Sequence, residues 1–146
     1  VRYRLGEDGS REPIPGGWWD SQLQVECSFQ RSSDGVDRCL PALLKIAQTA
    51  YADAACTSPV SESLAPVAGC ASDPPTPYGY KSDPACASTT HIYGLGPSVA
   101  PATPRYYITN GACIASGAFG DAEIIAQPIG AEIPAASFVG ATGSHD

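Results

Sequence analysis

The sequence predicts an all-β fold of repeated antiparallel hairpins, stapled by disulfides and closed into a small propeller-like or barrel-like domain; a two-sheet β-sandwich is the alternative. Three observations carry this reading. Short β-branched and aromatic runs recur between Gly, Pro, Asp and Asn turns. Six cysteines, an even number, lie between Cys27 and Cys113. Four of them, Cys27, Cys56, Cys86 and Cys113, follow one another at intervals of 29, 30 and 27 residues, each a few positions after an aromatic, as in "YADAAC" and "YYITNGAC".

From the N-terminus, Val1 to Leu5 reads as a strand, and "GEDGS" turns it back into "REPI". Gly17 to Trp19, Gln22 to Gln30 and Val36 to Leu40 follow, the last two joined by "SSDGVD", whose Asp-Gly supplies the positive φ of a tight hairpin. The segment "LPALLKIAQTAYADA" reads two ways. Pro41 at a first helical position and the stripe Leu43, Leu44, Ile46, Ala50 and Tyr51 favour a short helix, whereas the repeat register asks for a strand before Ala52.

Gly69 to Gly79, with Pro74 and Pro75 adjacent, reads as an extended crossover within one domain. Beyond it come strands at Tyr78 to Tyr80, Thr89 to Tyr93, Arg105 to Thr109, Cys113 to Ala115, Glu123 to Pro128 and Ser137 to Ala141. "TNGAC" places the chain's only Asn at a hairpin turn. His91 to Ile108 aligns without a gap on Glu123 to Gly140 at a displacement of 32, so residues 1–146 are expected to form a single domain with internal repeats of about 27–32 residues.

The 146 residues are 43% hydrophobic and only 16% charged, with 15 Gly and 14 Pro, so turns stand where a charged coat is usual. A net charge of −7, with two lysines in the chain, repels phosphate backbones and anionic headgroups and excludes nucleic acid as a natural partner. No apolar stretch is long enough to span a bilayer as a helix. Val1, with no basic and apolar leader after it, reads as the start of a processed chain or of a piece of a longer one.

Cys27, Cys39, Cys56, Cys70, Cys86 and Cys113 read as three disulfides of an oxidising compartment, placing the protein outside the cell, on its surface or in the periplasm. Chain proximity favours Cys27 with Cys39, Cys56 with Cys70 and Cys86 with Cys113, but all fifteen pairings stay open. With no CxxC, and with His91 and His145 isolated, a structural zinc site is not expected.

Catalytic signals are weak. Asp20 with Glu26, or Glu123 with Glu132, could serve as an acid and base for glycoside cleavage only if they face one cleft. His91 lies in "TTHIYG" without a nucleophile elbow. Asp34 with Asp37, or Glu7 with Asp8, offers oxygen for calcium but lacks the full loop pattern. No enzyme, cofactor or metal is expected.

What remains is aromatic. Trp18, Trp19, Tyr78, Tyr80, Tyr93, Tyr106 and Tyr107 are the candidate binding surface, since a strand cannot bury both members of a Trp-Trp or Tyr-Tyr doublet against one core. The expected function is a non-enzymatic extracellular or surface module that binds another protein or copies of itself, with carbohydrate binding as the alternative.

Taken together, "WWDSQLQVECSFQRSSDGVDRCLP", "YADAACTSPV" and "EIIAQPIGAEIPAASFVGAT" resemble an uncharacterised cysteine-containing β-repeat domain of exported proteins and lipoproteins of myxobacteria and related bacteria. The resemblance runs from Asp20, Cys27, Asp34-Gly35 and Arg38-Cys39-Leu40-Pro41, through Asp53 and Cys56, to Pro134 and Phe138. It implies a surface or periplasmic location and no known activity.

Overall fold

Asp-Gly and Asn-Gly pairs, with their left-handed backbone, decide where this chain reverses. In the computed structural model, which describes residues 3–5, 11–13, 18–42, 45–46, 50–64, 77–83 and 89–141, Gly35 (φ 76°), Asn110 (φ 52°) and Gly111 (φ 78°) all lie in that region. Successive positive φ values at Asn110 and Gly111 define a type I′ turn, whose twist matches the flanking strands.

The order is β1 (Tyr3–Leu5), β2 (Arg11–Pro13), β3 (Trp18–Asp20), β4 (Val25–Arg31), β5 (Asp37–Pro41), β6 (Lys45–Ile46), β7 (Ala50–Tyr51) and β8 (Pro59–Leu64). Then come β9 (Tyr78–Ser82), β10 (Thr90–Leu95), β11 (Pro104–Thr109), β12 (Ala112–Ala118) and β13 (Ile124–Glu132), with 3₁₀ turns at Gly120–Ala122 and Ala135–Ser137. The described fold is all-β.

The chain divides into two interleaved compact units. One comprises Val1–Leu43, Ser82–His91 and Pro134–Asp146; the other comprises Leu44–Lys81 and Ile92–Ile133. Of the Pro-rich Gly69 to Gly79 stretch, only residues 77–79 are described.

In the first unit, β1 pairs antiparallel with β2, with Leu5 opposite Arg11; the expected turn "GEDGS", residues 6–10, lies outside the described residues. The antiparallel sheet β3-β4-β5 sets Trp18 opposite Cys27 and Phe29 opposite Cys39. Cys27 is bonded to Cys39 across the Asp34-Gly35 hairpin, at a Cα separation of 5.2 Å. The outer edge of β5 is covered: Cys39 N–H donates to the Val139 carbonyl and Ala141 N–H to that of Asp37, while Arg38 Nη1 bonds the Phe138 carbonyl at 2.7 Å. Leu40, Pro41 and Phe138 are buried.

The second unit is built on an eight-stranded sheet of order β12-β11-β7-β8-β13-β10-β9-β6, antiparallel except where β6 meets β9. Ala50, Val60, Phe119 and Ala126 form its core, with Ala52, Val99, Tyr107 and Ile124 packed against them. The register explains this set, because Ala50 lies opposite Val60, and Glu62 opposite Ala126, on one face. Cys113, on β12, is bonded to Cys56 in the turn between β7 and β8.

Several expectations are corrected. The eight-stranded sheet is open, ending in β12 and β6, so no closed propeller or barrel forms among the described residues, and separate, mainly antiparallel sheets stand in its place. Cys56 pairs with Cys113 rather than Cys70, because β7 lies beside β11, with Tyr51 opposite Tyr106. Cys70 and Cys86 lie outside the described residues. Residues 21–24 form a turn rather than strand, and the central strand β8 stands where the sequence reading placed no element.

In the ambiguous 41–51 segment, Pro41 ends β5, Ala42 is a bend, and Lys45–Ile46 and Ala50–Tyr51 are strand; residues 43–44 and 47–49 lie outside the described residues. The two segments related by the 32-residue displacement differ locally. In the first, β10 and β11 are separate strands; in the second, β13 runs nine residues through Gly130 and is followed by the turn at Ala135–Ser137.

Candidate functional site

Asp20 builds the hairpin that displays the tryptophans. It is 3% exposed at the end of β3, and its Oδ1 accepts from the amides of Gln22 (2.8 Å) and Leu23 (3.0 Å). Gln24 takes the left-handed φ of 55° that completes the reversal, and its side-chain amide bonds the Ser21 carbonyl. This four-residue loop fixes the register of β3 on β4, and thereby the face on which each ring emerges.

Trp18, opposite Cys27, and Phe29, two residues beyond it, share one face of the sheet. Their rings meet edge to face at 5.4 Å with an interplanar angle of 76°. Yet Trp18 is 46% and Phe29 38% exposed. Such an edge-on pair contributes about 0.5–1.5 kcal/mol beyond simple area burial, enough to hold the two rings as a unit. The Cys27–Cys39 disulfide lies on the same face, and the exposed pair Arg31 and Asp37, 3.6 Å apart, continues the stripe. Trp19 emerges on the opposite face beside Glu26 and is 42% exposed.

The tyrosines are placed differently. Tyr78 and Tyr80 on β9, Tyr93 on β10 and Tyr106 on β11 are half-buried. The Tyr106-Tyr107 doublet splits by alternation: Tyr106 lies opposite Tyr51, and Tyr107 packs on the core. Tyr107 donates to the Glu62 carboxylate at 3.2 and 3.3 Å, and Arg105 sits 5.2 Å from its ring centroid. Burial and the Glu62 charge push the Tyr107 hydroxyl above the ordinary phenol range. The structure thus brings Trp18 together with Phe29, which was not among the candidates.

The acidic groups do not converge. Asp20 and Glu26 point to opposite faces of the hairpin. Glu123 precedes β13 and Glu132 ends it, about 30 Å apart along the strand at 3.3 Å per residue, against the roughly 5–9.5 Å of carboxylates that share a glycosidic bond. Asp34 is engaged by Arg38, which holds its carboxyl below the usual range, and Asp37 faces Arg31. Asp83 Oδ2 accepts from Thr89 Oγ1 at 2.8 Å and lies 3.0 Å from His91 Nε2, a contact that ties the residues leading into β10. Among the described residues, no three His, Cys, Asp or Glu side chains form a group that could hold a metal ion.

Compared with models of known families, with curated proteins and with solved structures, the chain matches none. The site therefore rests on its own geometry. Two disulfides suit an oxidising compartment, and no helix among the described residues is long and apolar enough to cross a membrane.

Proposed function

We propose that this chain is a non-enzymatic module of the cell exterior or cell surface that binds another protein through the Trp18–Phe29 face. One observation carries the reading: two large rings held edge to face, each more than a third exposed, on a sheet braced by Cys27–Cys39. Aromatic anchors supply most of the energy in protein interfaces, and a surface already fixed by a covalent bridge loses little freedom on binding. The neighbouring Arg31 and Asp37 provide a polar rim.

The resemblance to exported bacterial β-repeat domains supports the location, as do the disulfides. Carbohydrate binding is the second reading, favoured by the exposure of both tryptophans. A sugar platform needs ring faces in a common plane, however, and rings at 76° present a knob instead.

Both tryptophans of the chain lie in β3, so intrinsic fluorescence reads this surface directly. Immobilised full-length chain is to be exposed to an envelope extract of its own cells. Retained protein that blue-shifts the tryptophan emission, and is lost with Trp18→Ser and Phe29→Ser, supports the proposal. Retention on a polysaccharide column, removed by the same substitutions, would favour the glycan reading.

A further inference from the structure

Exposed sheet edges invite strand pairing, and proteins blunt them with shortness, charge, Pro, bulges or a covering segment. Most edges here carry such a device. β1 and β2 are three residues each. β3 is three residues ending in the inward Asp20. β5 is covered by residues 139–141. β6, one end of the large sheet, is two residues.

β12, at the other end, is the exception. It has seven residues, Ala112–Ala118, with no charge and no Pro, and all but Cys113 and Ala118 are exposed. Among the described residues it has no neighbour beyond β11. Its one irregularity lies towards the C-terminal end, where the register shifts opposite Arg105 and Gly117 takes φ 73°. Ala112 to Ala115 form an unbroken ladder on β11.

The hairpin turn dictates which groups face outward. A type I′ turn closes with a hydrogen-bonded pair, here Thr109 and Ala112, and bonded and non-bonded pairs then alternate. Ala112 and Ile114 therefore direct their amides and carbonyls toward β11. Those of Cys113 and Ala115 point to the free edge.

We propose that β12 pairs antiparallel with β12 of a second copy of this chain, about a two-fold axis at Ile114. Cys113 of each copy then exchanges two hydrogen bonds with Ala115 of the other, giving four in all. Ile114, 51% exposed, meets its own counterpart in the close, non-bonded position. Charge selects this occupant over an unrelated strand. In a two-fold pair each residue near the axis faces itself or its neighbour, so any charge would oppose its own copy. A stretch of seven uncharged residues in a chain of net charge −7 meets that condition. The Cys56–Cys113 bond already pins the strand, reducing the freedom lost on pairing.

Sedimentation of the full chain in non-reducing buffer, over a concentration series, tests this. The expected mass rises from 15.0 kDa to about 30 kDa, twice the chain mass. Ile114→Arg, at an exposed position, sets like charges together at the axis and raises the midpoint about tenfold or more, with the disulfide map unchanged. Ile114→Cys yields a reducible crosslinked species through the introduced thiols, because non-bonded pairs bring Cα atoms to about 4.5 Å, within disulfide range. Trp18→Ser leaves the association intact, which separates this surface from the aromatic face. A mass that stays at 15.0 kDa, an unaffected Ile114→Arg variant, no crosslink, or loss of the dimer with Trp18→Ser would each overturn the proposal.

Discussion

Cys56 and Cys113 are bonded across 57 positions of sequence, with their Cα atoms 5.9 Å apart. The turn after β7 is thereby tied to the edge strand β12. Chain-entropy arguments assign such a closure about 4 kcal/mol, against about 3 kcal/mol for the shorter Cys27–Cys39 loop. Replacing both Cys56 and Cys113 by Ala should therefore lower the urea midpoint more than the corresponding Cys27 and Cys39 double variant. Equal midpoints, or the reverse order, would contradict that ranking.

With these two bonds formed, Cys70 and Cys86 have only each other as partners within the chain. Non-reducing peptide mapping should recover Cys27 with Cys39 and Cys56 with Cys113, and thiol counting should find no free cysteine. Two reactive thiols per chain would reduce the expected three bridges to two.

Asp53 organises the turn that presents Cys56. Its carboxylate accepts from the amides of Ala55 (2.9 Å) and Thr57 (3.0 Å) and from the Thr57 hydroxyl. The Ser58 hydroxyl and the Thr57 amide lower its pKa from 3.8 to about 2, outweighing desolvation. Because the folded form resists protonation, the stabilisation is complete above the unfolded value and is lost as pH falls through about 2. Thermal midpoints of the parent and Asp53→Asn should differ at pH 5 and draw together as acid is added through this window. A difference independent of pH would refute the assignment.

Phe119 is 1% exposed in the core of the second unit. Phe119→Ala should cost about 3–5 kcal/mol through lost burial and the cavity left behind. Leu64→Ala, at the exposed end of β8, should change stability by about 0.5 kcal/mol or less. Chemical denaturation of the two variants distinguishes them.

Two glycines should resist substitution for different reasons. A Cβ on Gly111 would meet no atom within 4 Å, so Gly111→Ala pays only for its left-handed backbone, about 1–2 kcal/mol. A Cβ on Gly120 would fall 2.9 Å from Pro101 Cβ and 3.0 Å from its carbonyl oxygen, forcing the two segments apart. Gly120→Ala should therefore be the more damaging of the two in a thermal melt.

Turns were the most legible part of the sequence, because their backbone demands are local: Asp34-Gly35 and Asn110-Gly111 reverse the chain where expected. β8 was not legible. Its "PVSESL" carries three consecutive polar residues, Ser61, Glu62 and Ser63, yet pairing with β7 and β13 on either side makes it central and buries Ser61. The Cys56–Cys113 bond depends on β7 lying beside β11, a contact between distant segments that spacing cannot reveal. The tryptophan doublet signalled exposure, but finding Phe29 required the β3–β4 register, set by a turn closed by a buried carboxylate. Extending that register by two residues was the signal available.

The Cys56–Cys113 bridge encloses everything between Thr57 and Ala112 in one covalent ring, and Cys27–Cys39 encloses a smaller one. A single peptide bond hydrolysed inside either ring opens the chain without releasing a fragment. Among secreted proteases, a nicked copy would keep its full mass until a thiol reductant separated the pieces.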